Sequence, residues 1–247
     1  MINIRSLEEI EIMKEGGKIT SKALKKVLEA VKPGVTTLQL DSIAEEIITG
    51  NGGYPSFKTV DDYTHTACIN VNSGIVHGIP NNCELVPGDV VSIDLGTLYK
   101  EYHTDLSYTV EVQTNNEKEF LNLGKSTLEK AVKLCRQGKR IGDVSNVIQT
   151  EVEAAGYSVS RDLVGHGVGR ELHEDPYVPC YGNPETGAKI KAGMVFAVEV
   201  IYQKGAPELV ISEDGWTLET EDGSISGLFE NTIVVTKNGP VYITSFD

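Results

Sequence analysis

Along the first thirty residues Leu7, Ile10, Met13, Gly17, Leu24, Val27, Leu28 and Val31 recur at spacings of three, four or seven with charged residues between them. That period predicts an amphipathic helix with one apolar stripe, stopped by Pro33-Gly34. Thr36 with Gln39 three residues later is a capping box, and Leu40, Ile43, Ala44 and Ile47 carry a second helix to the breaker Gly50-Asn51-Gly52-Gly53. Between Thr64 and Val112 the pattern changes to β-branched runs at 67–71, 90–95 and 106–112, separated by Pro80-Asn81-Asn82 and Pro87-Gly88-Asp89, with a hairpin expected around Gly96 to Tyr102. Helical spacing returns in Phe120, Leu123, Leu128, Ala131, Val132 and Leu134, then in Val144, Val147 and Ile148, and ends at Gly156. Further strands are expected near 194–201, 208–212, 216–220 and 228–236.

The second half repeats the first. At an offset of 104, Leu24 meets Leu128, Gly34 meets Gly138 and Leu40 meets Val144. At an offset of 105, the segment from Pro87 to Asp94 lies over that from Ala192 to Glu199, so an acid interrupts the same apolar strand in each half. The expected fold class is α+β, a single domain over 1–247. Its two pseudo-symmetric αα-ββ halves, roughly 1–112 and 113–247, surround a central antiparallel sheet, and the carboxylates meet where the halves join.

Composition narrows the function classes. A chain of 247 residues with 40% hydrophobic and 23% charged residues can bury a core unaided and is neither disordered nor fibrous. Lys plus Arg number 22 against 36 Asp plus Glu, a net charge of −14, which argues against nucleic-acid readout or an anionic membrane as partner. Cys68, Cys83, Cys135 and Cys180 form no CxxC pair, and neither a secretory leader nor an apolar run of membrane-spanning length is visible. Reduced thiols and a cytoplasmic location are the expectation.

An acid within an apolar strand is costly unless something positive meets it. Asp94, Asp105, Glu199 and Glu230 are four such acids; Asp105 follows Asp94 by eleven residues and can face it across a hairpin. His166 lies between glycines in Gly165-His166-Gly167-Val168-Gly169, with His173 seven residues on. Oxygen donors with one or two imidazoles suit two divalent cations of the Mn, Fe, Co or Zn type, and two dications balance the four carboxylates.

These motifs carry a resemblance. Gly165 to Pro176 (Gly-His-Gly-Val-Gly-Arg-Glu-Leu-His-Glu-Asp-Pro), Val76-His77-Gly78-Ile79-Pro80, the Asp94/Asp105 pair, Asp214-Gly215-Trp216-Thr217 and the segment from Phe229 to Gly239 resemble the type I methionine aminopeptidases, of the pita-bread fold. The resemblance runs from about residue 5 to 241, and the 26-residue step from His173 to Glu199 leaves no room for the helical insertion that marks type II. It implies that Asp94, Asp105, His166, Glu199 and Glu230 are metal ligands, with Asp105 and Glu230 bridging. It also implies that Glu199 moves the proton of an activated water, that His77 and His173 contact substrate and its reacting oxygen, and that Tyr54, Cys68 and Trp216 surround the methionine side chain. The implied activity is removal of the initiator methionine from nascent polypeptides, at the ribosome, when the second residue is small, by a monomer with no membrane partner. A prolidase or Xaa-Pro aminopeptidase of the same fold, and a non-catalytic ribosome-binding relative, are the competing readings. Asp214-Gly215-Trp216-Thr217 speaks against the first, which would share all five ligands; the intact ligand set and the acidic charge speak against the second. Four features depart from the family pattern: a long 55–66 segment, Leu172 in place of an aromatic, Val200 in place of a proline, and Asn231 in place of a histidine.

Overall fold

The computed structural model of the chain describes residues 2–246. Helix α1 (Leu7–Ala30) begins at Ser6, which forms a reciprocal capping box with Glu9, and buries Ile10, Met13, Leu24 and Val27. Helix α2 (Thr37–Gly50) begins at the capping box of Thr36 with Gln39. Strands β1 (Tyr54–Pro55), β2 (Ala67–Val71) and β3 (Gly74–Val76) lead to the hairpin β4 (Val90–Tyr99) and β5 (Tyr102–Glu111). Helices α3 (Lys118–Leu134) and α4 (Ile141–Ala154) follow, then β6 (Ser158–Val159), β7 (Val164–Gly167), β8 (Glu174–Pro179) and β9 (Val195–Gln203). The chain ends with β10 (Leu209–Ile211), β11 (Leu218–Thr220), β12 (Ser226–Thr236) and β13 (Gly239–Tyr242).

One ten-stranded sheet runs through both halves in the order β1-β4-β5-β12-β9-β7-β8, with β2 on β4, β6 on β9 and β13 on β12. Every pairing is antiparallel, so the fold is mixed α and β around a central antiparallel sheet. A second, three-stranded sheet, β10-β11-β3, joins the halves again. The repeat is visible in the start points, because β4 opens at Val90 and β9 at Val195, 105 residues apart.

The side-chain period of two sorts the sheet into two faces. On one face Val91, Ile93 and Leu95 share a core cluster with Leu24, Val27, Leu40 and Ala44 of the first helix pair. On the same face of the second half Phe196, Val198, Val200 and Tyr202 pack with Leu128, Val132, Val144 and Ile148 of the second pair. The acids at 94 and 199 fall on the alternate positions, away from the helices. Hydrophobic burial therefore holds the sheet from one side and leaves the other free to carry polar chemistry.

The strands from 158 to 179 went unpredicted because Val164-Gly165-His166-Gly167 and Glu174-Asp175-Pro176-Tyr177-Val178-Pro179 read as loop. Tertiary position overrides that composition: β8 is the last strand in the sheet order, where proline's missing donor faces no neighbour.

Candidate metal centre and its apolar pocket

Cross-strand register assembles the site. Cys68 pairs with Asp94, Asp94 with Ser107, Ser107 with Glu230, and Glu230 with Glu199, a straight row over β2, β4, β5, β12 and β9. Directly paired residues share a face, so all five side chains leave the sheet on the side opposite the helices. Asp105 stands two residues before Ser107, and His166 pairs with Ala197, two residues before Glu199. Five residues spread from 94 to 230 thus converge because two positions along a strand restore the face.

His166 can enter this row because its neighbours lack side chains. A Cβ on Gly165 would lie 2.6 Å from the Ala197 carbonyl oxygen, and one on Gly167 would lie 2.2 Å from that of Asp175. His166 Nδ1 is 2.9 Å from the Gly167 carbonyl oxygen, so Nδ1 carries the proton and Nε2 keeps its lone pair. Nε2 faces Glu199 at 3.6 Å and Asp105 at 3.9 Å. Burial, with the adjacent His173, lowers the His166 pKa to about 4, so the ring is neutral and able to ligate. Asp105, His166 and Glu230 offer ligand atoms that all lie within 4.8 Å of one another, and Asp94 and Glu199 flank them.

The electrostatics of the cluster are those of a cation site. Burial first, and the neighbouring carboxylates second, push Asp94, Glu199 and Glu230 well above the usual carboxylate range; burial pushes Asp105 up to about 7. Asp94 Oδ1 and Glu230 Oε1 are buried with no hydrogen-bond partner among the described residues. Unpartnered carboxylate oxygens among like charges are what divalent cations neutralise, so the residues present fit such ions.

A cavity of about 310 Å³ opens over the acids. One wall is an apolar cluster of Phe57, Tyr63, Cys68 and Leu172, against which Val60, Ile79 and Trp216 pack. Tyr63 donates its hydroxyl to the Ala67 carbonyl oxygen at 2.9 Å and meets the Trp216 ring edge-on at 5.2 Å between centroids. His77 and His173 also line the cavity and remain open to it. His77 sits at φ 59, a left-handed conformation costly for a side chain of that size. The cavity walls lower the pKa of both rings, and His173 meets the His166 ring edge-on with centroids 4.4 Å apart. Behind His173, the buried pair of Arg5 with Glu174 anchors the turn that carries Leu172 and His173.

The structure relocates some sequence-level assignments. Tyr54 is not a cavity residue: β1 pairs it with Leu98, and its side chain is exposed, so the aromatic wall is formed instead by Tyr63 and Phe57. Both come from the long 55–66 segment, which is the pocket wall rather than a neutral insertion; their aromatic character was the only sequence signal. Val200 and Asn231 face the helix side of the sheet, Val200 in the core and Asn231 donating to the Thr244 carbonyl oxygen at 3.0 Å. Of the substitutions at single positions, only Leu172 reaches the cavity.

The sequence matches the profile of metallopeptidase family M24 over residues 11–237, and the chain belongs to that family. Divalent-metal use follows from that membership and from the donor set. Within the family, the chain is 42% identical over 246 residues to the methionine aminopeptidase of Clostridium perfringens, covering 99% of each. The crystal structure of a methionine aminopeptidase from Thermotoga maritima matches it with a TM-score of 0.97 at 42% identity, over 99% of this chain and 100% of that one. A prolidase from Pyrococcus furiosus has the same fold, with a TM-score of 0.81 at 26% identity, but this chain covers 66% of it. No helix among the described residues is long and apolar enough to cross a membrane.

Proposed function

We propose that the chain is a metal-dependent aminopeptidase that removes an N-terminal methionine followed by a small residue. The observation that carries this reading is the apolar pocket of Phe57, Tyr63, Cys68, Leu172 and Trp216 opening directly onto the row of buried acids. An unbranched thioether adapts to such a pocket and gains sulfur–aromatic contacts worth about 0.3–1.5 kcal/mol each. Asp94, Asp105, His166, Glu199 and Glu230 would hold two divalent ions of the Mn, Fe, Co or Zn type, whose charge balances the four carboxylates. When bound, such ions polarise the scissile carbonyl and acidify the attacking water.

The chain's own groups do the rest. Glu199 lies in the row beside Glu230 and faces the His166 ring, a position from which it would take the water proton and return it to the leaving amide nitrogen. His77 and His173, both kept neutral by their lowered pKa values, donate N–H bonds to the carbonyl oxygen as charge grows on it. A small second residue is expected to fit beside His77 in the cavity and a large one to be rejected. Nascent chains in the cytoplasm, at the ribosome, are the substrates this chemistry serves, and the protein acts as a monomer.

The test is kcat/KM of the metal-loaded protein on the matched peptides Met-Ala-Ser, Leu-Ala-Ser, Met-Trp-Ser and Ala-Pro-Ala. Met-Ala-Ser is expected to be best, with Leu-Ala-Ser slow because one altered methylene changes binding by only about 1–3 kcal/mol. Preference for Ala-Pro-Ala would make the protein a prolidase-like enzyme instead.

A further inference from the structure

A second hollow, of about 200 Å³, adjoins the cavity and takes no part in the proposed reaction. The two share a wall: Gly78 and Ile79, which follow His77, line the second hollow, as does Thr217, which follows Trp216. The Ile79 N–H donates to the Thr217 hydroxyl oxygen at 3.3 Å and ties the two segments together. Residues of β2, of β3 and of the β10–β11 hairpin complete the lining.

Two groups in it are unsatisfied. Asn70 is 2% exposed, and its Oδ1 accepts the Gly78 N–H at 2.8 Å, so the tip of the amide stands at the lining. Its Nδ2 has no hydrogen-bond partner among the described residues, and no other buried side-chain group of the lining is left so. An orphaned buried donor is costly and calls for an acceptor. Glu219 is the second group, half-buried, with no hydrogen bond or ion pair on its carboxylate among the described residues. Asp214, the other acid of the lining, is already engaged by the Trp216 and Thr217 N–H groups and the Thr217 hydroxyl. No lysine or arginine lines the hollow, and none occurs anywhere from Gly205 to Thr236.

Gly74 sets the spacing between the two. It pairs with Glu219, and a Cβ on it would lie 3.4 Å from Asn70 Cβ. Asn70 and Glu219 therefore flank a residue without a side chain, and the space between them stays open. A ligand that satisfies both carries an acceptor and a cation a short stem apart. A metal ion offers no acceptor to an amide N–H, and a phosphate or a free amino-acid carboxylate meets Glu219 with like charge.

We propose that this hollow binds an arginine residue of a polypeptide, its peptide carbonyl accepting from Asn70 Nδ2 and its guanidinium pairing with Glu219. The planar guanidinium matches a carboxylate with two parallel N–H bonds, and its apolar stem packs on Val71 and Ile79. The inference concerns binding alone and stands apart from the activity proposed above.

The test is an NMR titration of isotopically labelled, Zn-loaded protein with N-acetyl-Ala-Arg-Ala-amide. The Asn70 side-chain amide and Glu219 backbone resonances are expected to move together with a common Kd. Citrulline in place of arginine, which keeps the shape and loses the charge, weakens binding about five- to tenfold, and so does Glu219→Gln. Butylguanidinium, the cation without a carbonyl, binds more weakly than the peptide and leaves the Asn70 side-chain resonance in place. Glu213→Gln, at an exposed position in the same hairpin and outside the lining, removes the same charge and leaves the Kd intact. Equal affinity for the arginine and citrulline peptides, or shifts confined to residues around His77 and His173, overturn the site. Kinetics then tells the source of the arginine. A lead in kcat/KM of Met-Ala-Ser-Arg-Ala over its citrulline counterpart, erased by Glu219→Gln, assigns it to the substrate's own chain; equal rates, with the acetylated peptide still bound, assign it to a second polypeptide.

Discussion

At the residue scale, the two histidines seven positions apart have different surroundings, and the proposed function gives them different roles. His166 is buried, its Nδ1 proton is committed to the Gly167 carbonyl, and its Nε2 faces two acids. His173 stands open to the cavity and touches no carboxylate in that row at ion-pair distance. His166→Ala is therefore expected to lower both metal content and activity. His173→Ala is expected to keep its metal and lose roughly 10²–10³ in kcat, the usual loss for one oxyanion donor. Elemental analysis with steady-state kinetics separates the cases: an empty site in His173→Ala with a full one in His166→Ala would reverse the two roles. His77, like His173, lines the cavity without lying in the row of acids, and its backbone is left-handed there.

At the element scale, the segment between β1 and β2 depends on a helix that contributes no residue to the cavity lining. Asp41 of α2 is 5% exposed, and its Oδ1 accepts from the backbone N–H groups of Thr66 and Ala67, each at 2.8 Å. Those bonds fix the point where the pocket wall enters β2. The other end is held by Ser56, whose hydroxyl is 2.9 Å from His103 Nδ1 on β5. Removing the Asp41 carboxylate strands two buried donors, so Asp41→Ala is expected to destabilise the fold by about 1–3 kcal/mol. Because Tyr63 lies on the released segment, KM for Met-Ala-Ser should rise more than kcat falls. Urea unfolding and kinetics well below the melting temperature check both, and an unchanged KM would detach the pocket from this anchor.

At the scale of the whole molecule, four acids buried between two halves make the sheet a source of stored repulsion until cations arrive. In the metal-free protein Asp105 titrates at about 7, and Asp94, Glu199 and Glu230 stand well above their ordinary range. A folded pKa raised above its unfolded value means that the native state binds more protons. The stability from these groups is then complete below the unfolded value near ~4 and is lost as pH rises through the folded values. Chelated protein is thus expected to melt at a lower temperature at about pH 8 than at about pH 5.5, with the difference set by the ~4 to about 7 window. Saturating Mn should remove that loss, because the ions bind the deprotonated carboxylates. Calorimetry with and without chelator reads the effect; a melting temperature of chelated protein that climbs with pH over this range would contradict it.

The sequence by itself determined what local physics decides. Helices α1 to α4 follow from apolar period and, at Thr36 with Gln39, from a cap that reaches only three residues. The hairpin from Val90 to Glu111 follows from β-branched runs and the turn between them. The acids at 94, 105, 199 and 230 were legible because a carboxylate inside an apolar strand demands a partner wherever the strand ends up. Strand order was not legible, since pairing Glu230 with both Ser107 and Glu199 joins segments more than thirty residues apart in sequence. That pairing brings Glu199 and Glu230 into line with Asp94 and sets Asp105 beside them. The pocket wall was also left to tertiary structure: Tyr54 and Tyr63 are equally aromatic in sequence, and only the docking of the 55–66 segment onto Cys68, Leu172 and Trp216 places one in the cavity and the other in solvent. Non-local burial chose between them, and no local pattern encodes it.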